Sequence, residues 1–151
     1  MFKGQFDHSV DPKGRASLPA AFRRELEDNG EEHVVIAKHV FSKCLMAHPA
    51  SEWRILEGKL AELPRFDPTA TWLRRNLVGS AQEVPIDKVG RCLLPAGLRD
   101  FAGIEDKLVW MGQLQWIEIW APGRLEQAEQ ALPADIDLPP SVLEALAKLG
   151  L

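Results

Sequence analysis

The chain has 151 residues, of which 18 are basic and 22 are acidic, so its formal net charge is −4. Apolar residues make up 46% and charged residues 26% of the chain. These are the proportions of a globular protein, and they exclude a disordered chain and a fibre. The length fits one domain, or two small domains that share a core.

The sequence predicts a cytoplasmic protein that does not enter the membrane. Its longest apolar runs, such as 34–37, are only a few residues, so none can span a bilayer. The opening residues, Met-Phe-Lys-Gly, lead directly into polar sequence and resemble no secretory signal. Cys44 and Cys92 form no dense disulfide framework. The acidic total argues against nucleic-acid binding by the whole surface, but it leaves room for a local basic patch.

The first predicted elements, in residues 10–23, recur at residues 86–99. The two stretches read VDPKGRASLPAAFR and IDKVGRCLLPAGLR. Seven of the fourteen aligned positions are identical, namely Asp11/Asp87, Gly14/Gly90, Arg15/Arg91, Leu18/Leu94, Pro19/Pro95, Ala20/Ala96 and Arg23/Arg99. The repeat predicts two copies of one unit, each built from strand, turn, strand, short helix, hairpin and helix.

The turn of each copy has a clear chemical signature. Asp11 and Asp87 are predicted to bind backbone amides of the turn, and Gly14 and Gly90 to supply a positive φ. Asp11 and Asp87 are therefore assigned as structural turn residues. The Leu-Pro that follows ends the second strand and starts a helix.

The rest of the first copy continues with a hairpin and a helix. Strands are predicted at 34–37 and 43–47, and a helix at 51–63 with apolar residues at helical spacing. Asp67 and Pro68 cap a further short helix that ends at Leu77.

The second copy repeats this pattern, with strands at 108–111 and 115–120 and a helix after Pro122. Residues 132–140 read as a linker, because they carry three prolines and two aspartates. Ser141 begins a capping box for the last helix. We predict a first unit at 1–65, a linking helix at 66–77, a second unit at 78–132, and a linker with a C-terminal helix at 133–151. The fold class is α+β with a mostly β core and a pseudo-twofold pair of units.

No catalytic or cofactor constellation is visible in the sequence. It contains no phosphate loop, no dinucleotide-binding glycine fingerprint and no nucleophile elbow. His39, Cys44 and His48 are a conceivable metal cluster, but their spacing is not that of a zinc finger or a metallohydrolase helix. Cys92, on a predicted strand, is expected to be a small buried residue. We therefore predict no enzyme, no metal and no cofactor.

The two copies differ in charge. Residues 1–24 carry five basic and two acidic residues, whereas residues 78–101 carry three of each. A cationic loop on a rigid turn suits phosphates and guanine edges, and a glycine lets the backbone approach a phosphate. This predicts nucleic-acid contacts at Lys13, Gly14 and Arg15, with Lys3 in the same basic segment.

Each motif arginine keeps two interpretations open. Arg15 and Arg91 either pair with Asp11 and Asp87 across the turn or contact nucleic acid. The neutral surroundings of Arg91 favour the pairing. Lys13, beside Arg15, favours nucleic-acid contact for the first copy.

These motifs carry a resemblance. Asp-x-x-Gly-Arg, an apolar strand, Leu-Pro and an arginine four residues after the proline resemble the AbrB-like swapped-hairpin DNA-binding unit. Two such units in one chain, opening with Met-Phe-x-Gly, resemble the MraZ family of bacterial transcriptional regulators. The resemblance extends from Met1 to about Trp120, and Pro49 with Trp53 is similar to the family's helix start after the first hairpin.

The resemblance implies a function and a set of partners. It implies a cytoplasmic, nucleoid-associated ring, an octamer or dodecamer, that binds double-stranded DNA. The sites would be short direct repeats in the promoter of the division and cell-wall gene cluster, including the protein's own promoter, and the effect mostly repression. DNA contacts would fall on Lys13, Gly14 and Arg15, with Lys88, Gly90 and Arg91 as secondary candidates.

One alternative belongs to another class of function. In it the protein is an oligomeric protein-binding scaffold or an antitoxin-like module without DNA binding. The Asp-x-x-Gly-Arg motif would then serve only the architecture of the turn.

Overall fold

A computed structural model describes residues 1–130 and 140–150. The first half contains β1 (Gln5–Ser9), β2 (Arg15–Ser17), α1 (Ala20–Asp28), β3 (His33–Lys38), β4 (Leu45–Pro49), α2 (Ala50–Ala61) and α3 (Pro68–Asn76). After a 3-10 turn at Val78–Ser80, the second half contains β5 (Gln82–Pro85), β6 (Arg91–Leu93), α4 (Ala96–Ala102), β7 (Lys107–Gln113), β8 (Trp116–Trp120) and α5 (Pro122–Gln130). Helix α6 (Pro140–Leu149) follows. The order of elements confirms the predicted α+β fold with two copies of one unit.

The two copies exchange strands within one antiparallel sheet. Its six strands lie in the order β1-β7-β8-β4-β3-β5. Strand β1 of the first copy pairs with β7 of the second, and β5 of the second copy pairs with β3 of the first. The order is unchanged when the copies are interchanged, as a pseudo-twofold arrangement requires. The domain boundaries at 65, 77 and 132 stay predictions, since strands of each copy complete the sheet of the other.

The remaining two strands form a separate antiparallel ribbon, β2–β6, which also joins the two copies. Ala16 and Cys92 lie opposite each other in its centre and are almost fully buried, which confirms the expectation for Cys92. Burial, with a smaller contribution from Asp87, raises the pKa of the Cys92 thiol to about 12. The ribbon therefore has one apolar face anchored in the core and one outer face.

The four central strands of the sheet, β7, β8, β4 and β3, are covered on both faces because their side chains alternate between the two sides of the sheet. Val34 and Ile36 face the core that α1, α4 and the ribbon cover, whereas Val35 and Ala37 face the core under α2, α3 and α6. Ile117 and Ile119 of β8, the strand predicted at 115–120, are fully buried. Strand β4 begins at Leu45, two residues later than predicted.

The local helix signals of the first half are confirmed. The Asp67 carboxylate accepts the N–H of Ala70 at 2.8 Å and caps α3, with Pro68 in its first turn. In α2, the predicted apolar residues Trp53, Leu56 and Leu60 are buried.

The end of the chain differs from its prediction. Helix α6 begins at Pro140, so Ser141 is not the capping residue and instead accepts a hydrogen bond from the Thr69 hydroxyl at 3.3 Å. Val142, Leu146 and Leu149 of α6 are buried against α2 and α3. The last helix is therefore part of the packed structure and is not isolated by the segment before it. The predicted linker lies outside the described residues, except for Pro140.

None of the helices within residues 1–130 and 140–150 combines the length and apolar character needed to cross a bilayer.

Candidate nucleic-acid interface

The two Asp-x-x-Gly-Arg turns, residues 11–15 (the first turn) and 87–91 (the second turn), have the same hydrogen bonds. The Asp11 carboxylate accepts the N–H of Lys13 and of Arg15, both at 2.9 Å, and the Arg15 Nε–H at 2.6 Å. In the second turn, Asp87 accepts the N–H of Arg91 at 2.8 Å and its Nε–H at 2.9 Å. Both motif arginines are therefore paired with their aspartates, in the first copy as in the second. A DNA contact by either arginine would have to be made in addition to this pairing.

These hydrogen bonds favour the ionised form of both turn aspartates. The backbone N–H of Arg15, its side chain and the N–H of Lys13 hold the pKa of Asp11 below its ordinary value. Arg91 does the same for the pKa of Asp87. Hydrogen bonds donated to a carboxylate stabilise its charged form. Both turns therefore keep the same hydrogen bonds at neutral pH.

Each turn glycine lies beneath an arginine of the other copy. Gly14 has φ +88°, and a Cβ placed there would lie 2.7 Å from Cζ of Arg99. Gly90 has φ +83°, and its Cβ would lie 2.7 Å from Cδ of Arg23. These arginines follow the Leu-Pro of each repeat. Their crossing between copies had no signal in the sequence beyond the identity of the two positions.

The backbone of each glycine is also fully used inside the protein. The N–H of Gly14 donates to the Asp11 carbonyl and its carbonyl accepts from Leu94 N–H, both at 2.9 Å. Gly90 makes the equivalent bonds. Both glycines are buried. The Gly14 N–H is therefore already used within the turn, and the glycine makes room for the Arg99 guanidinium. A DNA contact at Gly14 stays a prediction.

The crossing changes how charge is distributed. The sequence window assigned Arg23 to the basic first copy, but Arg23 lies over the second turn and donates to the Lys88 carbonyl at 3.1 Å. Arg99 takes the corresponding place at the first turn. Each turn thus carries one lysine, its own motif arginine and one arginine from the other copy, namely Lys13, Arg15 and Arg99, and Lys88, Arg91 and Arg23. The two turns thus carry the same number of cations, although Arg23 also forms an ion pair with Glu27 at 2.9 Å.

The ribbon brings the two motif arginines onto one surface. Residue Arg15 pairs with Leu93 and Ser17 pairs with Arg91 in the ribbon register. Because Ala16 and Cys92 point into the core, these four residues form the outer face of the ribbon. Diagonal neighbours in an antiparallel pair lie about 7–8 Å apart, so Arg15 and Arg91 belong to a single site.

The motif arginines can still bind a ligand. Their side chains are 34% and 36% exposed, and each bonds its aspartate through Nε. Within the described residues, the two terminal nitrogens of Arg15 and Arg91 make no hydrogen bond. A guanidinium oriented in this way can donate two N–H bonds to the acceptor edge of guanine or to phosphate oxygens.

Lys3 is not part of this surface. It precedes β1, whereas the first turn follows β1, and the five residues of the strand separate them by roughly 16 Å. Lys3 lies instead beside Gly112 of the β7–β8 hairpin. A role of Lys3 in binding stays a prediction, and it would require a contact separate from the ribbon.

A second polar cluster tests the metal interpretation. The ligand-forming atoms of His39, Cys44 and Glu118 lie within 4.8 Å of one another. Nδ1 of His39 accepts the N–H groups of Phe41 and Ser42 at 3.1 and 3.2 Å, so the ring proton lies on Nε2, which faces Glu118 Oε1 at 3.5 Å. A metal ion would have to bind Nε2 through the lone pair that holds this proton. The proton cannot move to Nδ1, because Nδ1 already accepts two N–H groups, so the residues do not fit a metal site.

The third residue of that interpretation, His48, lies apart from the cluster. It stacks on Trp116, with ring centroids 5.9 Å apart, and packs against Trp53. Burial lowers the pKa of His48 and that of His39 to about 4, and raises the pKa of Glu118. Both histidines are therefore neutral structural residues at neutral pH.

The fold and this surface define a class of protein. Two intertwined strand–turn–strand–helix units that share one basic ribbon form a tandem swapped-hairpin protein. The sequence model of the family "MraZ protein, putative antitoxin-like" matches residues 1–76 and 77–139. The chain belongs to the MraZ family.

Similar proteins carry the name "Transcriptional regulator MraZ". The one from Marinomonas sp. (strain MWYL1) is 45% identical over 136 residues, covering 89% of this chain and 90% of the relative. The one from Halorhodospira halophila is 38% identical and covers 97% and 99% of the two chains. The one from Coxiella burnetii (strain RSA 493 / Nine Mile phase I) is 33% identical, with 94% and 97% covered.

Proposed function

We propose that this protein is a transcriptional regulator that binds specific DNA sequences through the outer face of its β2–β6 ribbon. Its sites are short direct repeats in the promoter of the division and cell-wall gene cluster, including its own gene, and it represses transcription there. The names of its relatives support a regulator, and the chemistry of the ribbon supports DNA as its ligand.

One observation carries the proposal. Arg15 and Arg91 lie on one exposed face with their terminal nitrogens available, and each is flanked by a lysine of its own turn. The major groove of DNA admits a two-stranded ribbon, and guanine O6 and N7 are the preferred acceptors of a bidentate arginine. In this proposal Lys13, Lys88, Arg23 and Arg99, at the two ends, contact the phosphates that border the groove.

Assembly would strengthen this contact. The six cations of one ribbon neutralise few phosphates, so a single protomer binds weakly. A ring, which we propose as an octamer or dodecamer, presents several ribbons at fixed spacing. Once the first ribbon binds, the others bind intramolecularly and raise the avidity by roughly 10²–10⁴ where the repeats match the spacing.

The test is a gel shift of the wild-type protein on a duplex spanning the region upstream of its own gene. A scrambled duplex of the same composition is the control, and salt is titrated for both. We expect preferential binding with a steep salt dependence, since each neutralised phosphate adds about 0.9 to the logarithmic slope. Equal binding of the two duplexes would contradict sequence specificity.

Repression needs a separate measurement. A reporter behind the protein's own promoter should be expressed more strongly when the gene for this protein is deleted. Supplying the Arg15→Ala variant to the deletion strain should not restore repression. Lower expression after deletion would make the protein an activator of that promoter.

The alternative is a protein-binding module without DNA binding. The family description includes "putative antitoxin-like", and Phe66 and Ile55 are large apolar side chains that stay 88% and 55% exposed. This alternative predicts that Phe66→Ser abolishes function while Arg15→Ala leaves it intact. DNA binding predicts the reverse.

A further inference from the structure

At two exposed positions of the ribbon and its turns, a polar residue of the first copy is replaced by an apolar residue in the second. Where the first copy has Lys13 and Ser17, the second has Val89 and Leu93. These apolar side chains are not covered by the fold, since Val89 is 60% and Leu93 52% exposed. An exposed apolar side chain on a binding face lowers the free energy of binding when it buries an apolar group of the ligand.

The register places Leu93 at the centre of the candidate interface. Leu93 is directly opposite Arg15, and Arg91 is two residues away on the same strand and the same face. The bond from Leu94 N–H to the Gly14 carbonyl makes Arg15 and Leu93 a non-hydrogen-bonded pair, whose side chains lie close together, with Cβ atoms about 5 Å apart. Val89 lies at the far end of the face, in the second turn.

Among groups on the major-groove edges of DNA, the C5-methyl of thymine is apolar. When Arg15 binds a guanine, its cross-strand neighbour Leu93 lies within reach of an adjacent base pair. A leucine there can bury a methyl group, whereas the Ser17 hydroxyl at the equivalent position cannot gain from that contact. The two ends of the ribbon thus prefer different bases.

We propose that Leu93 is a specificity-determining residue that contacts a thymine C5-methyl beside the guanine read by Arg15, and that Val89 makes a second methyl contact at the other end. The inference rests on the proposed DNA binding by the ribbon. The two methyl contacts make the ends of the pseudo-twofold ribbon different, so each protomer binds an asymmetric DNA sequence. Asymmetric boxes suit direct repeats, whereas a symmetric ribbon would prefer palindromes.

The test uses single-methyl deletion in the DNA. Duplexes bound by the wild-type protein are selected from a random pool, and each thymine of the selected box is replaced in turn by deoxyuridine. Burial of one methyl group corresponds to about a threefold to fivefold change in affinity. We expect wild-type affinity to fall by that factor at one thymine for Leu93 and at a second for Val89.

The matched variant is Leu93→Ser, which installs the residue of the first copy. It should bind the thymine duplex threefold to fivefold more weakly, lose the response to deoxyuridine at the Leu93 position and keep the response at the Val89 position. Leu143→Ser, a 44% exposed leucine on α6, is the control and should retain both responses.

Three outcomes would overturn the inference. If Leu93→Ser keeps the full response to deoxyuridine, Leu93 does not read the methyl group. If Leu93→Ser changes the size of the oligomer in size-exclusion chromatography without changing the base preference, Leu93 is a contact between copies. If the wild-type protein enriches no sequence from the pool, the proposed function itself fails, and the inference fails with it.

Discussion

The two turns of this protein are nearly identical in geometry and differ in chemistry. Asp11 and Asp87 clasp their arginines with the same bonds, to within 0.3 Å. Lys13 occupies the position in the first turn that the exposed Val89 occupies in the second. Identical geometry therefore serves the fold, and the differing side chains are where the two ends of one ribbon acquire different ligand preferences.

The comparison also shows why a charge count along the sequence misled. The count made the first copy basic and the second neutral, which favoured Arg15 over Arg91 for DNA contact. The exchange of Arg23 and Arg99 between the copies places similar numbers of cations at both turns. The charge count along the chain therefore assigned Arg23 and Arg99 to the wrong turns.

The largest expected effect on DNA binding tests whether the two motif arginines are equivalent. Arg15→Ala and Arg91→Ala should each keep the fold and the oligomer but reduce operator affinity by about 10–100-fold or more, since a bidentate base contact contributes about 1–3 kcal/mol in each bound protomer. Gel shifts and size-exclusion chromatography measure the two effects. Arg54→Ala, at an exposed position of α2, is the control.

Unequal losses of DNA affinity in the two variants would show that the two motif arginines are not equivalent. If Arg91→Ala binds as the wild type does while Arg15→Ala does not, Arg91 serves only its pair with Asp87. If either variant unfolds or dissociates, that arginine is structural.

A second prediction concerns α6, which packs against α2 and α3. Leu146→Ala should lower the free energy of unfolding by about 2–5 kcal/mol, because Leu146 is 1% exposed and its truncation leaves a cavity. Leu143→Ala on the same helix should cost less than about 0.5 kcal/mol. Chemical denaturation measures both. Equal, small effects would mean that α6 does not contribute to the stability of the first half.

A third prediction uses the buried histidine of the first half. His48 precedes Pro49 and α2, whereas the residue before Pro122 and α5 is Ala121. The pKa of His48 falls from its ordinary value of 6.5 to about 4 on folding. Protonation therefore favours the unfolded chain, and this contribution removes stability as the pH falls from 6.5 to 4, by about 3 kcal/mol.

His48→Phe keeps a stacked ring and cannot be protonated. The difference in unfolding free energy between this variant and the wild type should be constant above pH 7 and shift in favour of the variant between pH 6.5 and 4. Parallel curves throughout that range would show that His48 is not the acid-sensitive group.

The smallest expected effect concerns the turn glycines. Gly14→Ala and Gly90→Ala should each cost about 1–2 kcal/mol, because an alanine at positive φ is strained and the flexible guanidinium above can move aside. Gly30→Ala, with φ +69° and open space around it, reports the backbone strain alone. The displaced Arg99 or Arg23 should also weaken DNA binding, which Gly30→Ala should not do. No loss of affinity in Gly14→Ala would mean that Arg99 does not contribute to binding.

Much of the fold was accessible from the sequence because its signals are local. The repeat identified the turn residues Asp11 and Gly14 and their partners, and helical spacing identified the buried face of α2. Ser141 shows the limit of such signals. Its capping-box pattern was outweighed by packing of the whole helix, which begins one residue earlier and uses Ser141 to contact Thr69.

The sequence by itself determined the turn chemistry, the order of elements and the presence of two related units, since these depend on neighbours in the chain. Only the tertiary structure decided that β1 and β5 exchange between the units, that Arg99 and Arg23 cross to the opposite turns, and that Leu93 faces outward beside Arg15. Those features depend on pairings between residues about half the chain apart. The motif indicates swapped hairpins only through its resemblance to a known family, whereas the pairings themselves are chosen by the burial of the two units against each other.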